Sequence, residues 1–174
     1  IRLLPIAVNI SVKQLEDNKF TKFVRKIIGD YGIDSKYIEF EITESVSAGN
    51  MDKITKNIKE LGSMGIKISM DDFGTGYSSL SMLKNLRVDK LKIDKVFIDD
   101  IEKSTDNSKL LKTIIIMAKN FNLEVVAEGI ENYKQLEFLK ELGCDFGQGY
   151  LFSKPIDSTY FERLLKTNHL KIKI

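Results

Sequence analysis

The stretch IKISMDDFGTGYSSLSMLKNLRVDKLKID, residues 66–94, decides the fold because it contains one complete strand–helix–strand unit. Ile66–Met70 and Lys90–Ile93 are short apolar runs of the kind that form buried strands. Ser78–Leu86, which lies between them, has the apolar spacing of a short helix. Two short strands joined by a helix predict a parallel βαβ unit.

The same alternation continues on both sides of this unit. Further strands are predicted at Ile6–Ser11, Tyr37–Ile42, Leu123–Ala127 and Asp145–Tyr150, with helical apolar stripes between them. The total is about six βα units, whereas a closed barrel has eight strands and roughly 250 residues. We therefore predict an α/β fold, a TIM-like (β/α)8 barrel that is incomplete here. Because the chain starts at Ile1, without an initiator methionine, we expect the missing strands to precede it.

An open, doubly wound sheet is the competing architecture. Such a sheet normally carries a glycine-rich phosphate-binding turn after its first strand. No such turn follows the predicted strand Ile6–Ser11, so the barrel is favoured.

Composition restricts the class of protein. The 174 residues correspond to about one domain. The net charge of +2 is too small to indicate electrostatic attraction to nucleic acid or a membrane. No apolar run reaches the ~20 residues of a spanning helix. The single cysteine, Cys144, excludes an internal disulfide and is expected to be a buried, small apolar residue in a cytoplasmic protein. We expect a domain over residues 1–166 and a solvated basic tail over residues 167–174, with no nucleic acid polymer as partner.

Each predicted strand has polar residues at or just beyond its carboxyl end. They are Asn9, Glu41 with Glu44, Asp71 with Asp72, Lys92 with Asp94, Glu128 with Glu131, and Gln148. The carboxyl ends of parallel barrel strands meet on one face, so we expect these side chains to converge there. Clustered carboxylates repel unless a cation neutralises them, and oxygen ligands favour a hard cation such as Mg²⁺, Mn²⁺ or Ca²⁺.

Two further features point to phosphoryl chemistry. Adjacent Asp71 and Asp72 suit a pair of metal ions, which can activate water and stabilise a leaving oxygen. Lys92 adds a cation that can hold the attacking water or a phosphate oxygen. Alone, each of these residues is more often a solvated side chain, and their joint position is what predicts a site.

Six segments resemble the EAL domain family in their order and spacing. They are VNIS (Val8–Ser11), EITES (Glu41–Ser45), DDFGTGYSSL (Asp71–Leu80), LKID (Leu91–Asp94), EGIE (Glu128–Glu131) and GQGYLFSKPI (Gly147–Ile156). The resemblance runs from Ile6 to about Ile156. It implies a barrel that hydrolyses the bacterial second messenger cyclic di-GMP to linear pGpG with two Mg²⁺ or Mn²⁺ ions, Ca²⁺ being a possible inhibitor.

The resemblance also implies roles for individual residues. Metal ligands are expected at Asn9, Glu41, Asp71, Asp72 and Glu128, with Asp71 bridging the two ions. Lys92 is expected to orient the attacking water, with Glu128 and Gln148 as the other catalytic residues and Asp94 and Gln148 in contact with substrate. Glu44 is expected to brace the loop Phe73–Ser79, which in the family links metal binding to homodimer contacts. Glu131 is expected to lie next to the metal ligands without binding a metal itself.

One departure limits the resemblance. The glutamate of the Glu-Ala-Leu motif that names the family, a ligand of the first metal, would lie before Ile1. We therefore expect this 174-residue piece to have weak activity or none, and upstream regions of the full-length protein could tether it to a membrane.

Two other functions stay open. A catalytically silent domain could bind cyclic di-GMP or a protein, although such domains usually lack loop or metal residues that are present here. Lys92 could instead form a Schiff base in an aldolase-like or metal-assisted lyase barrel, but a ring of acids would keep its amine protonated.

Overall fold

Six short strands alternate with helices in the part of the chain that the computed structural model describes, residues 3–74, 80–99, 101 and 105–167. The chain divides into an N-terminal unit, Leu4–Leu91, and a C-terminal unit, Lys92–Ile174 with Ile1–Leu3. The boundary falls within a single strand.

The N-terminal unit contains three parallel strands in the order β1-β2-β3 and the first residues of β4. Their bounds are β1 Ile6–Asn9, β2 Ile38–Thr43, β3 Lys67–Phe73 and β4 Lys90–Ile93. The helices are α1 Val12–Glu16, α2 Phe20–Tyr31, α3 Met51–Ser63 and α4 Leu80–Asn85. The βα alternation predicted for this region is present, with α1 as an additional short helix.

Helix α1 shortens the first predicted strand. Ser11 was expected to end that strand, but its hydroxyl accepts a hydrogen bond from the Gln14 N–H at 3.3 Å, and the Gln14 side chain accepts the Ser11 N–H at 2.9 Å. This reciprocal capping box begins a helix at Val12. Strand β1 therefore ends at Asn9.

Side-chain alternation gives β2 and β3 one apolar face and one polar face. Phe40, Ile42, Ile68 and Met70 are buried on the apolar face. The opposite face carries Glu39, Glu41, Ser69 and Asp71, because Glu39 pairs with Lys67, Glu41 with Ser69 and Thr43 with Asp71. The polar face thus gathers acidic residues along neighbouring strands.

Helix α3 supplies much of the core of this unit. Ile54, Ile58 and Leu61 are fully buried along it. Asn57 on the same helix is also buried, and its amide donates to the Leu15 carbonyl at 2.7 Å and to the Asp17 carbonyl at 3.2 Å. These bonds satisfy a buried polar group and tie α3 to α1.

A buried ion pair joins β2 to the start of β4. Lys90 Nζ lies 2.5 Å from Glu39 Oε2, and both side chains are largely shielded from solvent. Removing one partner of such a pair leaves a buried charge without its counter-ion, which usually costs about 3–5 kcal/mol.

We expect Lys90→Met to lower the free energy of unfolding by about 3 kcal/mol. The double variant Glu39→Gln/Lys90→Met should recover most of that loss because it removes both charges of the pair. Urea unfolding of both variants measures the difference. A double variant as unstable as the single one would contradict this account.

The C-terminal unit contains the end of β4 followed by β5 Glu124–Ala127 and β6 Phe146–Gly147, in the order β4-β5-β6. The helices are α5 Lys95–Asp99, α6 Thr105–Asn120, α7 Tyr133–Glu141 and α8 Ser158–Thr167. Strands β5 and β6 are parallel, with Val126 opposite Phe146 and Ala127 opposite Gly147. The last predicted strand, Asp145–Tyr150, is thus limited to two residues, and α5 was not predicted.

The core of this unit lies between α6 and β5. Leu111, Ile115 and Ala118 are buried on α6, and Val125 and Ala127 on β5. Within the described part of the chain, no helix is both long enough and apolar enough to span a bilayer.

Cys144 is buried in this core, as predicted. Its thiol lies 3.4 Å from the Val125 carbonyl and 3.3 Å from the Phe146 carbonyl. Burial raises the pKa of the Cys144 thiol from 9.0 to about 11, because a thiolate would be desolvated there. The reactive thiolate is therefore scarce in the folded protein near neutral pH.

We expect iodoacetamide to label Cys144 at pH 8 at least ~100-fold more slowly than it labels glutathione, because both the pKa and the burial oppose attack. Mass spectrometry of the alkylated protein measures the rate. Urea should bring labelling to the rate of a free thiol. Fast labelling of the folded chain would contradict the burial of this side chain.

Candidate active site

The N-terminal acidic set consists of Asn9, Glu41, Asp71 and Asp72. Asn9 pairs directly with Glu41, and Asp71 lies two residues beyond Ser69, the pairing partner of Glu41. From strand spacing and rise, the Cα atoms of Glu41 and Asp71 are then roughly 8 Å apart. Strand alternation puts Asn9, Glu41 and Asp71 on the same face, so their oxygen atoms can reach a shared cation.

An unusual backbone conformation brings Asp72 to the same place. Successive side chains of a regular strand point to opposite faces, yet Asp71 and Asp72 carry carboxylate oxygens within 4.8 Å of each other. Asp72 has a φ of 54°, the left-handed region that non-glycine residues rarely adopt, and its N–H donates to Asp71 Oδ1 at 3.1 Å. Strain of this kind costs about 1–3 kcal/mol and concentrates at functional sites.

The donor chemistry of this set fits a hard divalent cation. One amide oxygen and three carboxylates come from β1, β2 and β3, and no histidine or cysteine belongs to the N-terminal unit. Oxygen ligands of this type suit Mg²⁺ or Mn²⁺. The assignment of Asn9, Glu41, Asp71 and Asp72 as ligands stays a prediction.

Glu44 lies directly after β2 and contacts the residue that follows β3. The Glu44 side chain is buried, and its Oε1 accepts the Gly74 N–H at 2.7 Å. This hydrogen bond ties the end of β2 to the beginning of the loop Phe73–Ser79. Residues 75–79 of that loop lie outside the described residues, so its bracing by Glu44 and its dimer contacts stay predictions.

In the C-terminal unit, Lys92 and Glu128 form an ion pair. Lys92 is 6% exposed, and its Nζ lies 2.7 Å from Glu128 Oε1. Glu128 directly follows β5, and its N–H donates to the Ile93 carbonyl at 3.0 Å. Two predicted catalytic residues that are 36 positions apart in sequence are thereby brought into contact.

Gln148 is held beside Glu128 by backbone hydrogen bonds. The Gln148 N–H donates to the Ala127 carbonyl at 2.8 Å, and the Ile130 N–H donates to the Gln148 carbonyl at 3.0 Å. Gly149 passes so close to Ile130 that a Cβ atom there would lie 2.2 Å from the Ile130 nitrogen. Only glycine permits this approach.

A cavity of about 270 Å³ adjoins these residues. It is lined by Lys95, Glu128, Gly129, Glu131, Gln148, Gly149 and Tyr150. Sequence reasoning singled out Glu128, Glu131 and Gln148 but missed Lys95 and Tyr150. Lys95 could have been found, since it directly follows the LKID segment at the end of a predicted strand.

Asp94 and Glu131 have structural partners of their own. Asp94 Oδ1 accepts the Val96 N–H at 2.8 Å, which caps the start of α5. Glu131 Oε1 accepts from Lys95 Nζ at 2.5 Å. The expected contact between Asp94 and substrate stays a prediction.

Comparison with known proteins identifies the family. A family model described as "EAL domain" matches residues 1–155. The chain belongs to the EAL domain family. The resemblance of the six sequence segments is thereby confirmed.

The curated relatives of this chain include proteins named as cyclic di-GMP phosphodiesterases. The cyclic di-GMP phosphodiesterase NbdA of Pseudomonas aeruginosa is 39% identical over 94% of this chain and 21% of its own length. The cyclic di-GMP phosphodiesterase PdeR of Escherichia coli is 37% identical over 94% of this chain and 25% of its own length. The chain thus spans about a fifth to a quarter of these relatives.

Solved EAL structures confirm the fold. The EAL domain of Mycobacterium smegmatis DcpA superposes with a TM-score of 0.90 at 34% identity, covering 96% of this chain and 75% of that one. The PaMucR phosphodiesterase in its cyclic di-GMP complex superposes with a TM-score of 0.84 at 36% identity, covering 90% of this chain and 64% of that one. In the described residues of this EAL-domain chain, six parallel strands with their helices form the predicted incomplete (β/α) barrel.

One further structure bears on the cation. Klebsiella pneumoniae BlrP1, in a manganese and cyclic di-GMP complex, has a TM-score of 0.79 and 29% identity, covering 87% of this chain and 39% of that one. Divalent metal use therefore occurs among the structural neighbours of this EAL-domain chain.

Proposed function

We propose that this EAL domain hydrolyses cyclic di-GMP to linear pGpG with the help of two divalent cations, Mg²⁺ or Mn²⁺. The observation that carries the proposal is the buried Lys92–Glu128 ion pair at 2.7 Å, at the carboxyl ends of β4 and β5 in a chain of this family. The relatives named as cyclic di-GMP phosphodiesterases supply the substrate class.

The N-terminal acidic set would hold the cations. Asn9, Glu41 and Asp71 would hold one ion, and Asp71, Asp72 and Glu128 would help to hold the second. When bound, such ions polarise the phosphodiester and lower the pKa of water. The strained backbone at Asp72 supports this assignment, because it lets two consecutive carboxylates serve one site.

Lys92 and Glu128 would handle the water and its proton. The Lys92 ammonium would orient the attacking water, while Gln148 would hold it from the other side. The water oxygen forms a new bond to phosphorus, and the bond from phosphorus to the ribose 3′ oxygen breaks. The proton of the water passes to the Glu128 carboxylate, and the released 3′ oxygen takes up a proton from solvent. Because the bond to the 3′ oxygen is the one that breaks, the phosphate stays on the 5′ side and the product is pGpG.

Turnover by the full-length protein tests the proposal. We expect pGpG from cyclic di-GMP with Mg²⁺ or Mn²⁺, no product after treatment with EDTA, recovery when Mn²⁺ is restored, and inhibition by Ca²⁺. Chromatography of the nucleotides measures this. Tight binding of cyclic di-GMP without pGpG would reject the proposal in favour of a silent binding domain. Borohydride trapping at Lys92 would instead indicate Schiff-base chemistry.

The proposal also covers the location, the domain bounds and the oligomeric state of the protein. We propose a cytoplasmic domain over residues 1–166 that forms a homodimer through the region Phe73–Ser79. Light scattering of the purified protein at several concentrations tests the dimer.

A further inference from the structure

The loop Glu128–Glu131, which joins β5 to α7, is held by a lysine from a different part of the C-terminal unit. Lys95 is the first residue of α5, and its Nζ lies 2.5 Å from Glu131 Oε1. The same ammonium is 3.9 Å from Asp99 Oδ2, one turn along α5. Lys95 thus connects the segment after β4 to the loop after β5.

The aliphatic stem of Lys95 makes a second contact with this loop. A Cβ atom built on Gly129 would lie 2.4 Å from Lys95 Cγ and 2.8 Å from Lys95 Cδ, so the methylene groups lie directly over the glycine. Gly129 has a φ of 71°, which glycine adopts without strain. Because it follows Glu128 directly, any shift of Gly129 also moves the carboxylate of Glu128.

Backbone hydrogen bonds hold the loop on both sides of Gly129. The Glu128 N–H donates to Ile93, and the Ile130 N–H donates to Gln148, both at 3.0 Å. The Glu131 N–H donates to Gln135 Oε1 at 2.8 Å. Between these fixed points, the Lys95 stem covers Gly129 and the Lys95 ammonium holds Glu131.

We propose that Lys95 is a positioning residue that sets the direction of the Glu128 carboxylate through Gly129 and Glu131. This inference rests on the proposed function, in which Glu128 takes part in phosphodiester hydrolysis. Lys95 acts on the loop and not on the reacting phosphate. Its side chain and that of Glu131 are about half exposed, and such pairs contribute little to stability, so a loss of activity can be separated from unfolding.

Two variants in the full-length protein test the role of Lys95. Lys95→Met keeps most of the stem over Gly129 and removes the ammonium, whereas Lys95→Arg keeps a cation. We expect Lys95→Met to lower kcat for cyclic di-GMP about tenfold to a hundredfold with KM changed less than about threefold, since small displacements of catalytic groups have effects of this size. Lys95→Arg should restore kcat to within about threefold.

A matched control and an independent readout complete the test. Lys109→Met breaks an exposed ion pair with Asp106 on α6 and should leave kcat unchanged. Hydrogen exchange at the Glu128 and Ile130 amides should accelerate in Lys95→Met and not in Lys109→Met. Exchange that is unchanged in Lys95→Met would overturn the inference, as would a rise in KM at constant kcat, which would indicate direct substrate contact. If the wild-type protein forms no pGpG, the proposed function fails, and the exchange data still decide whether Lys95 holds the loop.

Discussion

In the full-length protein, replacing Lys92 with methionine is expected to lower the turnover of cyclic di-GMP about 10³-fold, the size of effect that a positioned proton-transfer or water-orienting group contributes. The same change removes the counter-ion of Glu128, whose Oε1 lies 2.7 Å from Lys92 Nζ. Stability should therefore fall as well, by about 3 kcal/mol. Steady-state kinetics and urea unfolding on the same preparation measure the two effects.

The double variant Lys92→Met/Glu128→Gln separates chemistry from stability. It removes both charges of the pair, so its free energy of unfolding should lie closer to that of the wild type than that of Lys92→Met does, while turnover stays at least ~10³-fold low. An active double variant would contradict the proposed roles of both residues.

Strand β4 itself supplies the matched control. Lys90 lies two residues before Lys92 and forms a buried ion pair with Glu39. The double variant Glu39→Gln/Lys90→Met makes the same chemical change without touching a predicted catalytic residue, so the folded protein should keep its turnover. Equal losses of turnover in the two double variants would assign the effect to packing of β4.

Replacing Asp71 with asparagine is the second change for which we expect a large effect. We expect Mn²⁺ affinity to fall by at least ~100-fold, since changes in residues that only support a ligand already cost 10–100-fold. Turnover at a fixed, low Mn²⁺ concentration should fall by a similar factor and recover in part as Mn²⁺ is raised. Asparagine retains an oxygen that can accept the Asp72 N–H, so the strained backbone there should persist.

The stability of the protein provides a readout for Asp71→Asn that does not depend on activity. A cation that binds the folded state raises Tm, and the rise reports its affinity. Mn²⁺ should raise the Tm of the wild type and have little effect on Asp71→Asn. Asp89→Asn is the control, because Asp89 accepts the Ile68 N–H at 2.8 Å but lies outside the N-terminal acidic set. A full Mn²⁺-dependent shift in Asp71→Asn would contradict the metal assignment.

The long helices and the strands were predictable because their signals are local. Phe20, Val24 and Gly32 mark the face and the end of α2, and the strand Lys90–Ile93 was predicted at its observed bounds. Helical spacing alone does not show how wide the buried face is. Phe23 and Tyr31 belong to the apolar pattern of α2 but are 60% and 75% exposed.

The short helices α1 and α5 were missed for a different reason. Each has five residues, too few for an apolar stripe to repeat. Their starts are set by side-chain caps, from Ser11 and Gln14 at α1 and from Asp94 at α5. A single cap in a sequence is also compatible with a turn, so it predicts a helix only weakly.

By itself, the sequence determined which residues stand at the carboxyl ends of the strands, because the predicted strands end at or next to Glu41, Asp71 and Glu128. Only the tertiary structure decided how those side chains are directed. Asp72 turns beside Asp71 through a left-handed backbone, Lys92 pairs with Glu128, and Lys95 covers Gly129. The last two contacts join residues more than 30 positions apart, and side-chain direction at such distances depends on the packing of neighbouring strands and not on local pattern.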